Sequence, residues 1–396
     1  MNAIWFNQLD FASLCRTSRL ELARAFARAG HCLRIVGRYR SIRPRVAGIN
    51  PRPLLVKQPF SDPLGGLFFQ VQVLWMTLGG VFRKADLILV DHFCVLTMLP
   101  LNVLAKAGLI RTKFVLDIRS CPVDLTGARH SVSRMRYELA IRCAKLFYDG
   151  ITVITELYQQ DISSRFGINK ERIGVWSSGV AADLFDPAGV DKLCVEGIKS
   201  RLGVYDRTVI VYHGVLSAFR GLQDAVRALA LLRAEGHDNA ALVFVGNGPA
   251  AAEIRSLAKE HGLTDVVKLV DSVPHEEVPP WIAACDAGML PFPRSKWWEM
   301  SSPLKLLEYL AMEKPVVLTD LPAHRSVMGD AKCAFYLEDS SPVTIARGIR
   351  ALAAQKGALA EIGKEGRAIV LAKFTWEKQV NNLLGYVERL GSRGSA

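Results

Sequence analysis

Apolar residues in this chain fall into short runs separated by longer stretches where they recur every three or four positions. The runs read as strands and the stretches as helices, because the two backbones repeat at about two and about 3.6 residues. In the first half, strands are expected at Ala3–Phe6, Cys32–Gly37, Asp86–Val90, Lys113–Asp117, Gly150–Thr155 and Ile173–Trp176. A helix over Ser18–Ala29 ends at Gly30, a residue type that closes helices readily. Strand, helix and strand in that order make a βαβ unit at the start of the chain.

The pattern then restarts. Thr208–His213 reads as a strand ending at Gly214, followed by a helix over Leu222–Ala234. Ala241–Val245 is the next strand, closed by Gly246-Asn247-Gly248-Pro249 and followed by a helix over Ala250–His261. Val267–Val270, Ala287–Leu290 and Pro315–Thr319 supply further strands, and helices are expected at Val343–Gln355 and Thr375–Leu390. Alternation of this kind predicts an α/β protein with parallel sheets. The break falls near Asp186–Arg207, where Pro187-Ala188-Gly189 interrupts the periodicity. Two Rossmann-like domains facing a central cleft are therefore expected, the first over 1–190 and the second over 191–374. The length of 396 residues suits two cores better than one.

Charge changes the picture in one place. Residues 1–190 hold 25 Lys and Arg against 14 Asp and Glu, whereas residues 191–396 hold 25 against 24. Within the first half, Arg34, Arg38, Arg40, Arg43, Arg45, Arg52 and Lys57 precede the next acid, Asp62. Such a run suits an anionic membrane surface or a phosphorylated substrate as well as it suits a solvated basic face. A nucleic-acid partner is not expected, because no recognition helix, zinc module or interleaving of basic with aromatic residues is present. Residues 63–82 are uncharged but diluted by glycine and glutamine, which predicts a buried or membrane-touching helix rather than a span. Asp10 and Arg16 interrupt any apolar leader region, and the eight scattered cysteines read as reduced. A cytoplasmic protein is expected, with peripheral attachment to the inner face of a membrane as the open variant.

Three segments carry candidate chemistry. In Ser301-Ser302-Pro303-Leu304-Lys305-Leu306-Leu307-Glu308, Ser302 suits an N-cap and Pro303 the first helical position. A helix starting there aims its free N–H groups and positive dipole end at an anion, with Lys305 as an added cation. Glu308 lies one turn deeper on the same face, where a carboxylate can accept hydrogen bonds from a ribose diol. The alternative is an ordinary capped helix with a surface pair. Gly214, directly after a strand, permits close backbone approach, and Arg220 before Gly221 can clamp a phosphate with two parallel hydrogen bonds. The Gly246-Asn247-Gly248 turn is placed to approach a base or ribose, although such turns are common.

In this order the motifs resemble the retaining GT-B glycosyltransferases of the group 1, or family 4 (GT4), type. The resemblance runs through Gly214…Arg220-Gly221, Phe244-Val245-Gly246-Asn247-Gly248-Pro249, then Val278, Pro279, Ala284, Asp286 and Pro291. It ends in Lys305…Glu308-Tyr309…Lys314-Pro315-Val316-Val317. Met300 stands where most members carry the first of two carboxylates; the chain follows a branch with Ser-Pro-x-Lys-x-x-Glu-Tyr. Val215 replaces a customary arginine, and Arg119 stands near the position of a customary histidine.

The resemblance implies a sugar transferred from a nucleotide-diphosphate donor (a UDP- or GDP-sugar) to a glycan or lipid-linked acceptor, with retention at the anomeric carbon. It implies Arg220, Lys305 and Glu308 as catalytic residues. Gly214, Gly246, Asn247, Gly248, Ser301, Ser302, Pro303 and Leu304 would hold the donor. Asp91, His92, Asp117 and Arg119, at strand ends of the first domain, are the acceptor-side candidates. The final helix, 375–392, would cross back onto the first domain. No obligatory metal is expected, since side chains and backbone supply the positive charge and no Asp-x-Asp motif occurs. A nucleotide-sugar epimerase of the same fold, a phosphorylase and a non-catalytic scaffold are the alternatives.

Overall fold

The computed structural model describes residues 1–11, 17–40, 49–62, 64–78, 84–119 and 127–392. The chain divides into two compact units, Met1–Ser178 with Trp376–Ala396, and Gly179–Thr375. Arg16, Arg43, Arg45, residues 63 and 79–82 of the uncharged stretch, and two of the eight cysteines, Cys15 and Cys121, lie outside the described residues.

The first unit is built on seven strands: β1 (Asn2–Asp10), β2 (Cys32–Tyr39), β3 (Leu54–Lys57), β4 (Leu87–Val90), β5 (Lys113–Ile118), β6 (Gly150–Val153) and β7 (Ile173–Val175). Their order is β3-β2-β1-β4-β5-β6-β7, and every pair is parallel. β4 and β6 are buried along their whole length, as a sheet covered on both faces requires, which is why β4 reads as an unbroken apolar run. β3 escaped the periodicity because it is a four-residue edge strand with only partial burial.

The second unit carries β8 (Thr208–His213), β9 (Ala240–Val245), β10 (Val267–Val270), β11 (Ala287–Leu290), β12 (Val316–Thr319) and β13 (Ala334–Leu337). Their order is β10-β9-β8-β11-β12-β13, again with every pair parallel. Each sheet therefore grows outward from its first strand in both directions. The switch points fall between β1 and β4 and between β8 and β11, and ligands of such sheets bind beyond the carboxyl ends there.

The seam differs from the expected one. Residues after Ser178 belong to the second unit: Val180 donates to the Phe374 carbonyl, and Asp186 pairs with Arg367 at 2.9 Å. The proline interruption at 187–189 is a short 3-10 turn within that unit rather than the division.

The last helix, Trp376–Ser392, belongs to the first unit and packs on the helix Thr17–Arg28. Its Tyr386 fixes the docking. A Cβ on Gly150 would come within 2.0 Å of the Tyr386 hydroxyl, and one on Gly174 within 2.5 Å of the ring. The hydroxyl accepts from the Ile151 N–H at 3.2 Å and donates to the Arg172 carbonyl at 2.7 Å.

The uncharged stretch folds as the helix Leu64–Leu78, and no described helix is long and apolar enough to cross a membrane. The basic run is less open than its sequence suggests, because Arg38 and Arg40 converge on Asp62 at 2.8 and 2.6 Å. The six described cysteines are free thiols.

Candidate functional site

At the switch point of the second sheet, β8 and β11 pair through only two positions, Ala287 with Ile210 and Gly288 with Val211. Beyond them Tyr309 fills the gap. Its hydroxyl accepts the backbone N–H of His213 at 3.1 Å, and its ring meets the His213 imidazole edge-on at 5.2 Å. Gly288 makes this possible, since a Cβ there would come within 2.3 Å of the Tyr309 ring. The Gly-x-Leu pattern of β11 and the tyrosine of Glu308-Tyr309 thus serve one packing contact.

Glu308, one residue earlier on the helix Leu304–Ala311, is buried between two histidines. His275 Nε2 lies 2.9 Å from Oε1, and His213 Nε2 lies 3.1 Å from Oε2. The His213 contact is off the line of a good hydrogen bond, so it acts chiefly through charge and dipole. Burial alone would raise the Glu308 carboxyl, but the two imidazoles outweigh it and hold the group well below the usual carboxylate range. Burial lowers His213, against the pull of Glu308, and leaves the ring neutral near pH 7. A carboxylate offers about four acceptor positions. Glu308 therefore keeps capacity for a ligand hydroxyl while its orientation is fixed from two sides.

Lys305 lies one turn earlier and runs across Gly214. A Cβ on Gly214, whose φ is 107°, would come within 2.8 Å of Lys305 Cε. The ammonium stands 5.5 Å from the centre of the Tyr212 ring. Gly214 thus makes room for a lysine rather than for a ligand alone. Gly246 and Gly248 also serve packing: Cβ atoms there would meet the Gly214 and Leu216 carbonyl oxygens at 1.9 and 2.2 Å. The two loops are joined by the Leu216 N–H to the Asn247 carbonyl at 3.0 Å. Asn247 itself is exposed, its side chain accepting from the Gly248 N–H at 2.7 Å.

Arg220 closes a short 3-10 turn, Ala218–Arg220, before the helix Leu222–Ala234. Its guanidinium lies 5.2 Å from the Trp298 ring centre and 5.8 Å from that of Phe292, and it donates to the Tyr212 hydroxyl at 3.4 Å. Its Nε is buried without a hydrogen-bond partner. A cation held by aromatic faces with a donor left over is prepared for an anion. Gly221 must be glycine here, because its φ is 68° and a Cβ would come within 2.0 Å of the Pro291 carbonyl oxygen.

The helix expected to be capped by Ser302 and to start at Pro303 begins one residue later, at Leu304. Pro303 is the cap position, with φ −75° and ψ 108°, and no side chain caps the helix. Ser301 instead closes the preceding helix, Lys296–Glu299, by donating to the Trp298 carbonyl at 2.9 Å. Leu304 is the first helical residue, half-buried, and Met300 is buried at the join. Sequence reasoning missed His213, His275 and Trp298, whose partners are brought in from other elements. The one available signal was a histidine at the carboxyl end of a strand before glycine.

In the first unit the acceptor-side candidates separate. Asp91 is a structural residue: its carboxylate accepts the N–H groups of Gln8, Phe93 and Cys94 at 2.6, 3.0 and 3.0 Å. His92 packs against Phe93 and Tyr137, and burial lowers its pKa. Arg119 stacks 3.6 Å from the Trp176 ring centre and donates to the Trp176 and Ser177 carbonyls. Asp117 accepts from Thr152 and the Trp176 indole at 2.8 and 3.1 Å, while Oδ2 is buried without a partner. Burial raises its carboxyl to about 6, although the nearby Arg119 charge opposes this. Among the described residues no group of three or more His, Cys, Asp or Glu is arranged to hold a metal ion.

Comparison with known proteins agrees with this architecture. The chain is 24% identical over 212 residues to an alpha-D-kanosaminyltransferase of Streptomyces kanamyceticus, covering 54% of this chain and 53% of that one. It is 31% identical over 190 residues to a 2-deoxystreptamine glucosyltransferase of the same organism, covering 47% and 48%. The chain thus spans about half the length of these curated relatives. Among solved structures, HepE of Anabaena in complex with UDP and glucose superposes with a TM-score of 0.75 at 16% identity, covering 97% of this chain and 99% of that one. WaaG, a glycosyltransferase involved in lipopolysaccharide biosynthesis, gives 0.70 at 15% identity, covering 96% and 98%. Both likenesses show the GT-B fold class, in which each unit is Rossmann-like. The family model for glycosyl transferases group 1 matches residues 197–390. Residues 197–390, just under half of the chain, are thus similar to the group 1 glycosyl transferases.

Proposed function

We propose that the protein transfers a sugar from a nucleotide-diphosphate donor to a glycan or lipid-linked acceptor in glycoconjugate synthesis, with retention at the anomeric carbon. One observation carries the reading: Gly214, Lys305, Glu308 and Arg220 gather beyond the carboxyl end of β8, at the switch point of the second sheet. As the anomeric C–O bond breaks, negative charge develops on the β-phosphate. Lys305, the partly unsatisfied Arg220 and the N-terminus of Leu304–Ala311 stabilise that charge in advance, without an obligatory metal. Glu308, oriented by His275, accepts a donor hydroxyl. Asp117 is the acceptor-side candidate of the first unit with a carboxylate oxygen, buried, that no protein group satisfies. HepE, crystallised with UDP and glucose, supports a nucleotide-diphosphate donor, a UDP- or GDP-sugar, and the two transferase relatives favour transfer over epimerisation.

The test is a thermal-shift screen of nucleotide diphosphates, followed by Lys305→Ala and Glu308→Ala. One diphosphate should raise the melting temperature of the parent protein, and each variant should lose that rise. Retention of the rise in both variants would sink the assignment.

A further inference from the structure

Three neighbouring helices of the first unit turn apolar side chains to solvent where polar ones belong. The helix Leu64–Leu78 has no charged residue in its sequence. It buries Phe69, Val73 and Thr77, yet its outer side presents Leu67, Val71 and Trp75, exposed by 64, 44 and 68%. The helix beside it, Val95–Lys106, exposes Leu96 and Val103 at helical spacing. The third, Gly127–Phe147, exposes Met135, Leu139 and Leu146. The helices pack in that order, each on the next. Of the 20 large exposed apolar side chains among the described residues, 15 belong to the first unit and 5 to the second. Scattered single residues need no explanation, but a face shared by three helices does.

Charge selects the occupant. The Gly127–Phe147 sequence holds five Lys or Arg against one Glu. That Glu138 is already paired with Arg134 and Arg165, at 3.1 and 3.0 Å. Arg134, Arg136 and Arg142 are exposed between the apolar positions. A second copy of this face would bring like charges together. An anionic bilayer accepts both features. The uncharged helix sinks to the level of the acyl chains, and the arginines reach lipid phosphates at its margin.

We propose that the three-helix face docks the protein on an anionic lipid bilayer. The surface is thus the helical face and not the Arg34–Lys57 run, part of which is neutralised by Asp62. This inference is independent of the proposed sugar transfer, and so is its test. The full chain is sedimented with vesicles of phosphatidylcholine plus phosphatidylglycerol, and with phosphatidylcholine alone. Binding should require the anionic lipid and weaken with salt. Combined Leu67→Glu, Val71→Glu and Trp75→Glu should reduce it by about tenfold or more. Arg134→Glu with Arg142→Glu should reduce it at least as far, because each cation near such a surface contributes about fivefold. Circular dichroism and the melting temperature should show both variants folded. Wild-type protein that stays in solution, or a triple variant that sediments like the wild type, overturns the proposal. A concentration-dependent dimer lost in the triple variant, without vesicle binding, also overturns it and assigns the face to a second copy.

Discussion

His275 Nε2 stands 2.9 Å from Glu308 Oε1, tying the turn after β10 to the helix that leads into β12. The two residues are 33 positions apart, and the contact fixes one oxygen of a buried carboxylate. Removing the imidazole should therefore leave Glu308 charged but free to turn. His275→Phe is expected to weaken nucleotide-diphosphate binding by about tenfold, the worth of one charge-assisted hydrogen bond. Titration calorimetry checks this, and unchanged affinity would make the pair purely structural.

Gly288 and Tyr309 form the wedge beneath the same site. Gly288→Ala drives a methyl group into the Tyr309 ring, at a cost of about 1–3 kcal/mol in stability. Tyr309→Phe keeps the ring and loses only the hydrogen bond to His213, about 1 kcal/mol. Urea unfolding should rank the alanine variant below the phenylalanine variant.

Acid should destabilise the second unit before its exposed carboxylates titrate. His324 is buried, its Nδ1–H bonded to the Thr319 carbonyl at 2.7 Å, and burial holds its pKa at about 4. The unfolded chain takes up this proton near pH 6.5, so stability is full above that value and falls as pH drops towards 4. The shift corresponds to roughly 3 kcal/mol. His213, also lowered by burial, acts in the same direction. Glu308 adds a loss at lower pH, as its depressed carboxyl protonates. Melting temperature measured from pH 7 to pH 4 should fall, and His324→Asn should flatten the curve.

The last helix should depend on Tyr386. Tyr386→Ala empties the space over Gly150 and Gly174 and removes two hydrogen bonds, so a loss of about 3–5 kcal/mol is expected. Hydrogen exchange should then rise across Trp376–Ser392 and β7. Protection equal to wild type would show that the helix is held elsewhere.

Much of this protein is legible in its local chemistry. A strand such as Leu87–Val90 is buried on both faces and so is apolar at every position, while Thr152 in Gly150–Val153 is buried only with its hydroxyl bonded to Asp117. Gly214 and Gly221 advertise backbone that other residues resist, and the Lys305–Glu308 spacing depends only on helical periodicity. What sequence could not settle was what those residues face. Gly246 and Gly248 read as ligand-approach glycines, yet they make room for neighbouring carbonyls. Asp91 reads as a site carboxylate, yet three backbone N–H groups use it. Glu308 reads as a lone acceptor, yet two histidines from distant segments hold it. The outward apolar face of Leu64–Leu78 is equally a tertiary result, because periodicity does not say which side of an uncharged, largely apolar helix meets water. Sequence thus determined the elements, the parallel α/β class and the positions able to carry charge, since these follow from each residue and its near neighbours. The tertiary structure alone decided which groups are paired, buried or left open, because that depends on chain segments far apart in sequence.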